Sequence, residues 1–174
     1  MELLLVVILI FTILFIATAL VSLALRVPYV PTKKRVMQEI IKHAQLKKGQ
    51  TFFDLGCGDG RMLIEAERRK HVQAIGYEIA PLVYIFALIR KAISRSKATI
   101  KFKNFFHENL ENADVIFCYL MPAELQKLAK KIKKECKKGT CIISNTFHIK
   151  GLKPTKVIPK NEKTKIPTLY FYKI

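Results

Sequence analysis

The stretch that decides the fold is Asp54-Leu55-Gly56-Cys57-Gly58-Asp59-Gly60-Arg61. It continues the apolar run Thr51–Leu55, which is typical of a buried strand, and it leads into helical spacing from about Gly60 to Arg69. Three glycines at alternate positions allow a tight turn at which a ligand can approach bare main chain. The spacing differs from the GxGxxG of dinucleotide sites and from the P-loop pattern. The stretch therefore predicts a strand–loop–helix ligand site that does not need to cradle a phosphate.

Acidic residues stand at the ends of two predicted strands. Asp54 comes just before the glycines, where a carboxylate suits a cationic ligand rather than a pyrophosphate. Glu78 follows the predicted strand Val72–Tyr77, 22 positions beyond Gly56. An acid at that place accepts hydrogen bonds from both hydroxyls of an adenosine ribose. Either acid alone is an ordinary turn or capping residue, but both together with the glycine turn indicate a nucleoside site.

Strands and helices alternate outward from this turn. The predicted strands are 51–55, 72–77, 99–103, 114–120, 141–147 and 168–174, and the predicted helices are 33–45, 60–69, 82–94 and 122–137. Such alternation predicts an α/β fold, a doubly wound and mostly parallel Rossmann-like sheet with helices on both faces. The apolar helix at 82–89 either packs between the sheet and the helix at 33–45 or dips into a membrane interface.

An apolar segment precedes the sheet. From Leu3 to Leu25 the only polar residues are Thr12, Thr18 and Ser22. As a helix this segment would be about 34 Å long, enough to cross a bilayer core of about 30 Å. A cleaved signal peptide is the alternative, but the segment is long for one and Glu2 replaces the usual basic residues before it. We expect a transmembrane anchor over residues 1–26 and a single folded domain over residues 27–174.

Basic residues follow the apolar segment. Arg26, Lys33, Lys34 and Arg35 lie on its C-terminal side, whereas Glu2 lies on the other. The positive-inside rule then predicts a single-pass protein whose folded domain faces the cytoplasm. Between the two parts, Pro28–Thr32 contains two prolines and cannot continue the helix.

The chain is strongly basic. It carries 31 Lys and Arg against 13 Asp and Glu, a net charge of +18 over 174 residues. The basic residues concentrate in the helix 122–137, in Arg90–Lys103 and in the tail from Lys150. This charge favours an anionic partner, either the lipid surface beside the anchor or a nucleic acid, although it also suits a merely solvated face.

Cysteines and histidines indicate neither a disulfide framework nor a metal site. Cys57, Cys118, Cys136 and Cys141 form no CxxC pair, and no His lies at ligand spacing from them. We therefore expect reduced thiols and no metal.

Between Lys33 and Ile174 the pattern resembles the class I S-adenosylmethionine-dependent methyltransferases. The resemblance implies that Asp54 lies near the methionine part of the cofactor and that Glu78 holds its ribose. Asn104, which follows the third strand, would approach the adenine, where many members have Asp. The cofactor-binding residues that it implies are Asp54, Gly56, Cys57, Gly58, Gly60, Glu78, Ile79, Asn104 and Phe105.

A narrower resemblance is to the small membrane-bound lysine methyltransferases, which include the mitochondrial enzymes acting on ATP synthase c-subunit and adenine nucleotide translocase. The matching stretches are Pro28–Thr32, Asp54–Arg61, Gly76–Glu78 and Asn112–Phe117. It implies a protein-lysine acceptor in or near a membrane. The chain departs from the family at 148–150, where His-Ile-Lys replaces an aromatic-proline pattern.

Aromatic residues at predicted strand ends supply an acceptor site. We expect Tyr29 and Tyr119, with Phe105 and Phe147, to wall a pocket in which a lysine amine loses its proton. Aromatic faces also attract the cationic product. Alternative functions are an RNA methyltransferase, which the charge favours, a lipid or quinone methyltransferase, which the anchor favours, and a non-catalytic cofactor-binding scaffold.

Overall fold

The computed structural model describes residues 1–25 and 29–174. Three expectations lie outside the described residues. They concern Arg26 beside the span, Pro28 at the start of the connector, and the boundary between the anchor and the folded domain at residues 26 and 27. The helices are α1 (Glu2–Leu25), α2 (Lys34–His43), α3 (Arg61–Lys70), α4 (Pro81–Ser94) and α5 (Pro122–Glu135). The strands are β1 (Thr51–Leu55), β2 (Gln73–Glu78), β3 (Thr99–Phe102), β4 (Val115–Cys118), β5 (Cys141–Asn145), β6 (Lys156–Ile158) and β7 (Leu169–Lys173).

The strands form one sheet in the order β3-β2-β1-β4-β5-β7-β6. The first five strands along the chain are parallel, and β7 runs antiparallel to both of its neighbours. The strand order reverses beside β1, since β2 lies on one side of it and β4 on the other. This confirms the predicted doubly wound, mostly parallel sheet. The sequence prediction missed β6, a strand of three residues with Val157 exposed, because it has too few buried positions to show an alternating pattern.

The side chains of β1 point alternately to the two faces of the sheet, and each face carries its own layer of the core. Phe52 packs in one apolar cluster and Phe53 in the other, because successive strand side chains point to opposite faces. The first cluster contains the inner residues of α2, α3 and α4, and the second contains those of α5. Burial of each large aliphatic side chain stabilises the fold by about 1.5–3 kcal/mol. Both faces of the sheet are thereby covered, which leaves the strand ends as the place for a ligand.

The environment of α4 differs in part from the sequence expectation. Its neighbours include β2 and β3, as expected for a helix on the sheet, but its main helical neighbours are α1 and α3. The helix α2, which was expected to pack on it, contacts α3 instead. The expected packing of α4 on the sheet is confirmed, whereas α1 and α3 rather than α2 are its main helical neighbours.

The helix α1 packs on α4 through one stripe. Leu14, Ala17, Thr18 and Val21 are half-buried at helical spacing. The hydroxyl of Thr18 accepts a hydrogen bond of 2.9 Å from the amide of Leu82, which has no intrahelical acceptor because it lies in the first turn of α4. Among the described residues, α1 is also the one helix long and apolar enough to cross a membrane.

Candidate active site

A cavity of about 230 Å³ lies at the carboxyl ends of the central strands. Open α/β sheets bind ligands at this position, where the strand order reverses. Nearly all of the predicted site residues line it: Tyr29, Asp54, Gly56, Cys57, Gly58, Glu78, Ile79, Asn104, Phe105 and Tyr119. Gly60 does not line the cavity. It precedes α3 with φ 74°, and a side chain there would come within 3.1 Å of Ile100.

The turn after β1 exposes main chain to the cavity at Gly58. Its φ of 57° lies in the left-handed region, and a Cβ there would come within 3.1 Å of the Tyr29 ring. The amides of Gly56 and Cys57 both donate to the carbonyl of Tyr77 on β2, at 3.0 and 2.9 Å. These bonds fix the loop against the end of β2. The loop therefore presents a rigid, side-chain-free edge opposite a tyrosine.

Glu78 ties this loop to the start of α4. One carboxylate oxygen accepts a hydrogen bond of 2.9 Å from the Gly58 amide. The other accepts bonds from the amides of Ile79 and Ala80, at 2.8 and 2.9 Å. A carboxylate offers about four acceptor sites, so three are already used. That Glu78 binds a ribose stays a prediction. Both ribose hydroxyls would have to donate to a carboxylate that already accepts from the amides of Gly58, Ile79 and Ala80.

Asp54 is a buried carboxyl without a partner. The residue is 2% exposed, and no described residue donates a hydrogen bond to its carboxyl group. Burial raises the pKa of Asp54 well above its ordinary value, and the charges of Glu78 and Asp59 raise it further. An ionised carboxylate in such a place is stabilised by a cation from outside the chain.

Asn104 and Phe105 form the far wall of the cavity. The Asn104 side-chain oxygen accepts a 3.0 Å bond from the Phe106 amide and so caps the short 3₁₀ turn Phe105–His107. Phe105 is buried and stacks on Phe106 with ring centroids 4.4 Å apart.

An ion cluster around the buried Asp59 carboxylate supports the glycine loop, and the sequence prediction missed it. The Asp59 carboxylate receives hydrogen bonds from Arg61 at 2.8 and 2.7 Å and lies 2.8 Å from the guanidinium of Arg90 on α4. Arg61 also donates to the carbonyl of Thr32, at 3.4 Å. Burial raises the pKa of Asp59, but the two guanidinium groups outweigh it and hold that pKa below its ordinary value. The cluster thus joins the connector, the glycine loop and α4.

The mouth of the cavity is aromatic. Tyr29 is 45% exposed there, and Tyr119 and Phe147 are half-buried. Burial raises the pKa of the Tyr29 hydroxyl, and the negative charge of Asp59 adds to this. The phenol is therefore neutral at physiological pH and its ring is free to contact a cation.

Glu124 lines the same cavity, although the sequence prediction did not select it. One of its carboxylate oxygens is shielded from solvent and has no hydrogen-bond partner among the described residues. The other accepts a 3.3 Å bond from Lys127. The sequence feature that could have indicated Glu124 is an acidic residue in the first turn of a helix that follows a strand of the central sheet. The basic composition of the rest of α5 obscured it.

Comparison with known proteins identifies the family. The sequence profile of the ANTKMT methyltransferase domain matches residues 54–156. The chain belongs to this family. It is 34% identical over 151 residues to a protein-lysine N-methyltransferase of Saccharolobus islandicus, covering 85% of this chain and 94% of that protein. It is 27% identical over 140 residues to the adenine nucleotide translocase lysine N-methyltransferase of mouse, covering 79% of this chain and 61% of that protein.

A solved structure supports the same assignment for this ANTKMT-family chain. The RNA methyltransferase of Salinibacter ruber, crystallised with S-adenosyl-L-homocysteine, superposes with a TM-score of 0.78 at 26% identity. The alignment covers 83% of this chain and 94% of that one. The chain is an S-adenosylmethionine-dependent methyltransferase, as the resemblance in its sequence indicated.

The residues present fit S-adenosylmethionine. The ligand carries positive charge on its sulfonium and amino groups, and the unpartnered carboxyl of Asp54 provides the complementary charge. The bare main chain at Gly58 leaves room for a ligand that any side chain would fill. Phe105 provides an apolar wall for a base. Which of these residues contacts which part of the cofactor stays a prediction.

Proposed function

We propose that this ANTKMT-family chain is a protein-lysine N-methyltransferase that acts on a membrane or membrane-proximal protein. The observation that carries the proposal is the unpartnered Glu124 oxygen inside an aromatic-walled cavity. A carboxylate beside aromatic rings suits an ammonium group. The Saccharolobus islandicus and mouse relatives are lysine N-methyltransferases, which supports the same acceptor.

The residues that line the cavity have separate roles in the proposed reaction. S-adenosylmethionine supplies a methyl group already activated on a positively charged sulfur, so the chain needs mainly to align an acceptor with it. Asp54 and Glu78 hold the cofactor side, and Tyr29 and Tyr119 hold the acceptor side. Glu124 takes the proton that the lysine ammonium must lose, because only the neutral amine has a lone pair for the new nitrogen–carbon bond. The proton then leaves to water, and the sulfur keeps the electron pair of the broken bond.

Anchoring by α1 forms part of the proposal. Residues 1–26 would form the anchor and residues 27–174 the catalytic domain. The basic residues Lys33, Lys34 and Arg35 would keep the domain on the cytoplasmic side. Confinement to the membrane raises the effective concentration of an acceptor in the same bilayer.

RNA methylation is the second candidate. The Salinibacter ruber protein is an RNA methyltransferase, and the net charge of +18 suits a polyanion. Lysines and arginines that bind RNA for catalysis would have to surround the cavity mouth. Instead, Arg61 is the one basic side chain lining the cavity among the described residues, and it is already paired with Asp59, which favours the protein acceptor.

A labelling experiment separates the two candidates. The full-length chain in phospholipid vesicles is incubated with tritium-labelled S-adenosylmethionine and either membranes or total RNA from the source cells. We expect label in a protease-sensitive membrane band, released on hydrolysis as methyl-lysine. Label that ribonuclease removes would contradict the proposal, and label in extracted lipid would assign a lipid acceptor instead.

Replacing Glu124 with glutamine tests the proton acceptor. We expect kcat/KM for the labelled protein to fall about 100-fold, with activity recovering as the pH rises and the lysine deprotonates in solution. Cofactor affinity is expected to stay unchanged. The matched control is Glu162→Gln, since Glu162 is exposed and pairs only with Lys160 among the described residues. An unchanged rate and pH profile in Glu124→Gln would exclude this role.

A further inference from the structure

The outward face of α4 carries an apolar stripe. Phe86, Ile89 and Ile93 are 45%, 51% and 80% exposed. Their spacing of three and four residues places them on one side of the helix, in line with Leu82. Contiguous exposed apolar side chains of this size mark a surface that another phase or molecule covers. We refer to Phe86, Ile89 and Ile93 as the α4 stripe.

The α4 stripe is continuous with the apolar surface of α1. Leu82, at its N-terminal end, is buried and bonded through its amide to Thr18 of α1. The part of α1 that contacts the folded domain extends from Leu14 to Val21. The proposed membrane helix and the stripe therefore belong to one surface of the molecule.

The length of α1 determines how deep the surface formed by α1 and the α4 stripe must lie in a bilayer. The free part, Glu2–Ile13, has 12 residues and is about 18 Å long at 1.5 Å per residue. This is well short of a hydrocarbon core of about 30 Å. If α1 spans, the section packed on α4 must therefore lie within the bilayer as well. The adjoining α4 stripe then reaches the membrane interface.

Positive charge surrounds the C-terminal end of the α4 stripe. A cleft of about 760 Å³ beside it is lined by both charge types, with an excess of basic side chains. These include Arg95 and Lys97 just beyond the end of α4. Arg90 on α4 and Arg68 on α3 also line the cleft, but they are paired with Asp59 and Glu65. An apolar strip bordered by Lys and Arg is the pattern of a surface that lies on anionic lipid.

We propose that the α4 stripe is inserted into the interfacial region of an anionic lipid bilayer, with its basic border among the headgroups. This inference rests on the proposed anchoring by α1. Val21 of α1 lines the catalytic cavity, so the docked domain holds the cavity mouth close to the membrane surface. Acceptor side chains that emerge at the headgroup level then reach the site directly.

Single tryptophans test the depth of the stripe. The chain has no tryptophan, so each introduced one reports only its own position. Full-length Ile89→Trp and Ile93→Trp are placed in phosphatidylcholine–phosphatidylglycerol vesicles with bromine-labelled acyl chains. Phe11→Trp reports the anchor, and Val157→Trp reports an exposed position on β6. Retained cofactor binding shows that each variant folds.

We expect blue-shifted emission that bromolipids quench from Ile89→Trp, Ile93→Trp and Phe11→Trp, and aqueous emission from Val157→Trp. Quenching of Phe11→Trp alone would overturn the docking and leave the anchor intact. Aqueous emission from all the variants would refute the anchor and the docking together. Blue-shifted emission from α4 that bromolipids do not quench would assign the stripe to a protein partner and overturn the proposal.

Discussion

Replacing Glu78 with alanine is expected to weaken S-adenosylmethionine binding by about 100-fold or more. The substitution removes the carboxylate proposed to hold the ribose, and it also leaves the amides of Gly58, Ile79 and Ala80 without their acceptor. An unsatisfied buried donor costs about 1–3 kcal/mol, and each 1.4 kcal/mol or so is a tenfold change in affinity. Calorimetric titration of the full-length protein measures the effect.

Two further variants separate binding from folding. Glu78→Gln keeps one oxygen for the amides of Ile79 and Ala80 but brings an NH₂ group toward Gly58, so we expect an intermediate loss. Glu162→Ala removes an exposed carboxylate and should bind like the native chain. Thermal unfolding without cofactor checks that each variant is folded. A Glu78→Ala protein that folds and binds with native affinity would refute the assignment.

The sequence predicts the framework of the site because that framework is local. Asp54 and Gly58 lie within one turn, and Glu78 ends the next strand along the chain, so the parallel pairing of β1 with β2 brings them together. The alternation of strands and helices is enough to place these residues at one edge of the sheet. No contact outside β1, the glycine turn and β2 is needed for that step.

The rest of the site depends on contacts that no local pattern reports. Arg90 reaches Asp59 from α4, and Thr18 of α1 meets Leu82 across 64 positions. Glu124 stands out because one of its buried oxygens has no hydrogen-bond partner among the described residues. This depends on how the side chains pack, and the spacing of residues in the sequence does not show it. In the same way, the α4 stripe looks like core in the sequence, because apolar residues at helical spacing predict burial but do not tell what buries them.

The ionised carboxylate of Asp54 lowers the stability of the folded chain but favours binding of a cationic ligand. Its pKa is raised, because burial and the neighbouring Glu78 and Asp59 disfavour its charged form. The folded chain therefore binds this proton more tightly than the unfolded chain does. Stability from this group is complete below the ordinary pKa of 3.8 and is lost as the pH rises through the raised value. Ionising this carboxyl therefore costs stability, and a bound cation offsets that cost.

Asp54→Asn should therefore have opposite effects on the two states of the protein. Without cofactor we expect the variant to unfold at a higher temperature than the native chain, by at least about 2 °C, because the charging cost is gone. With cofactor we expect binding to weaken by about 10–100-fold, the value of a charge-assisted hydrogen bond. The affinity of the native chain should fall as the pH is lowered through the raised pKa of Asp54, whereas that of the variant should stay flat. A variant that is destabilised without cofactor, or that keeps the native pH dependence, would show that Asp54 is structural and that the cation is held elsewhere.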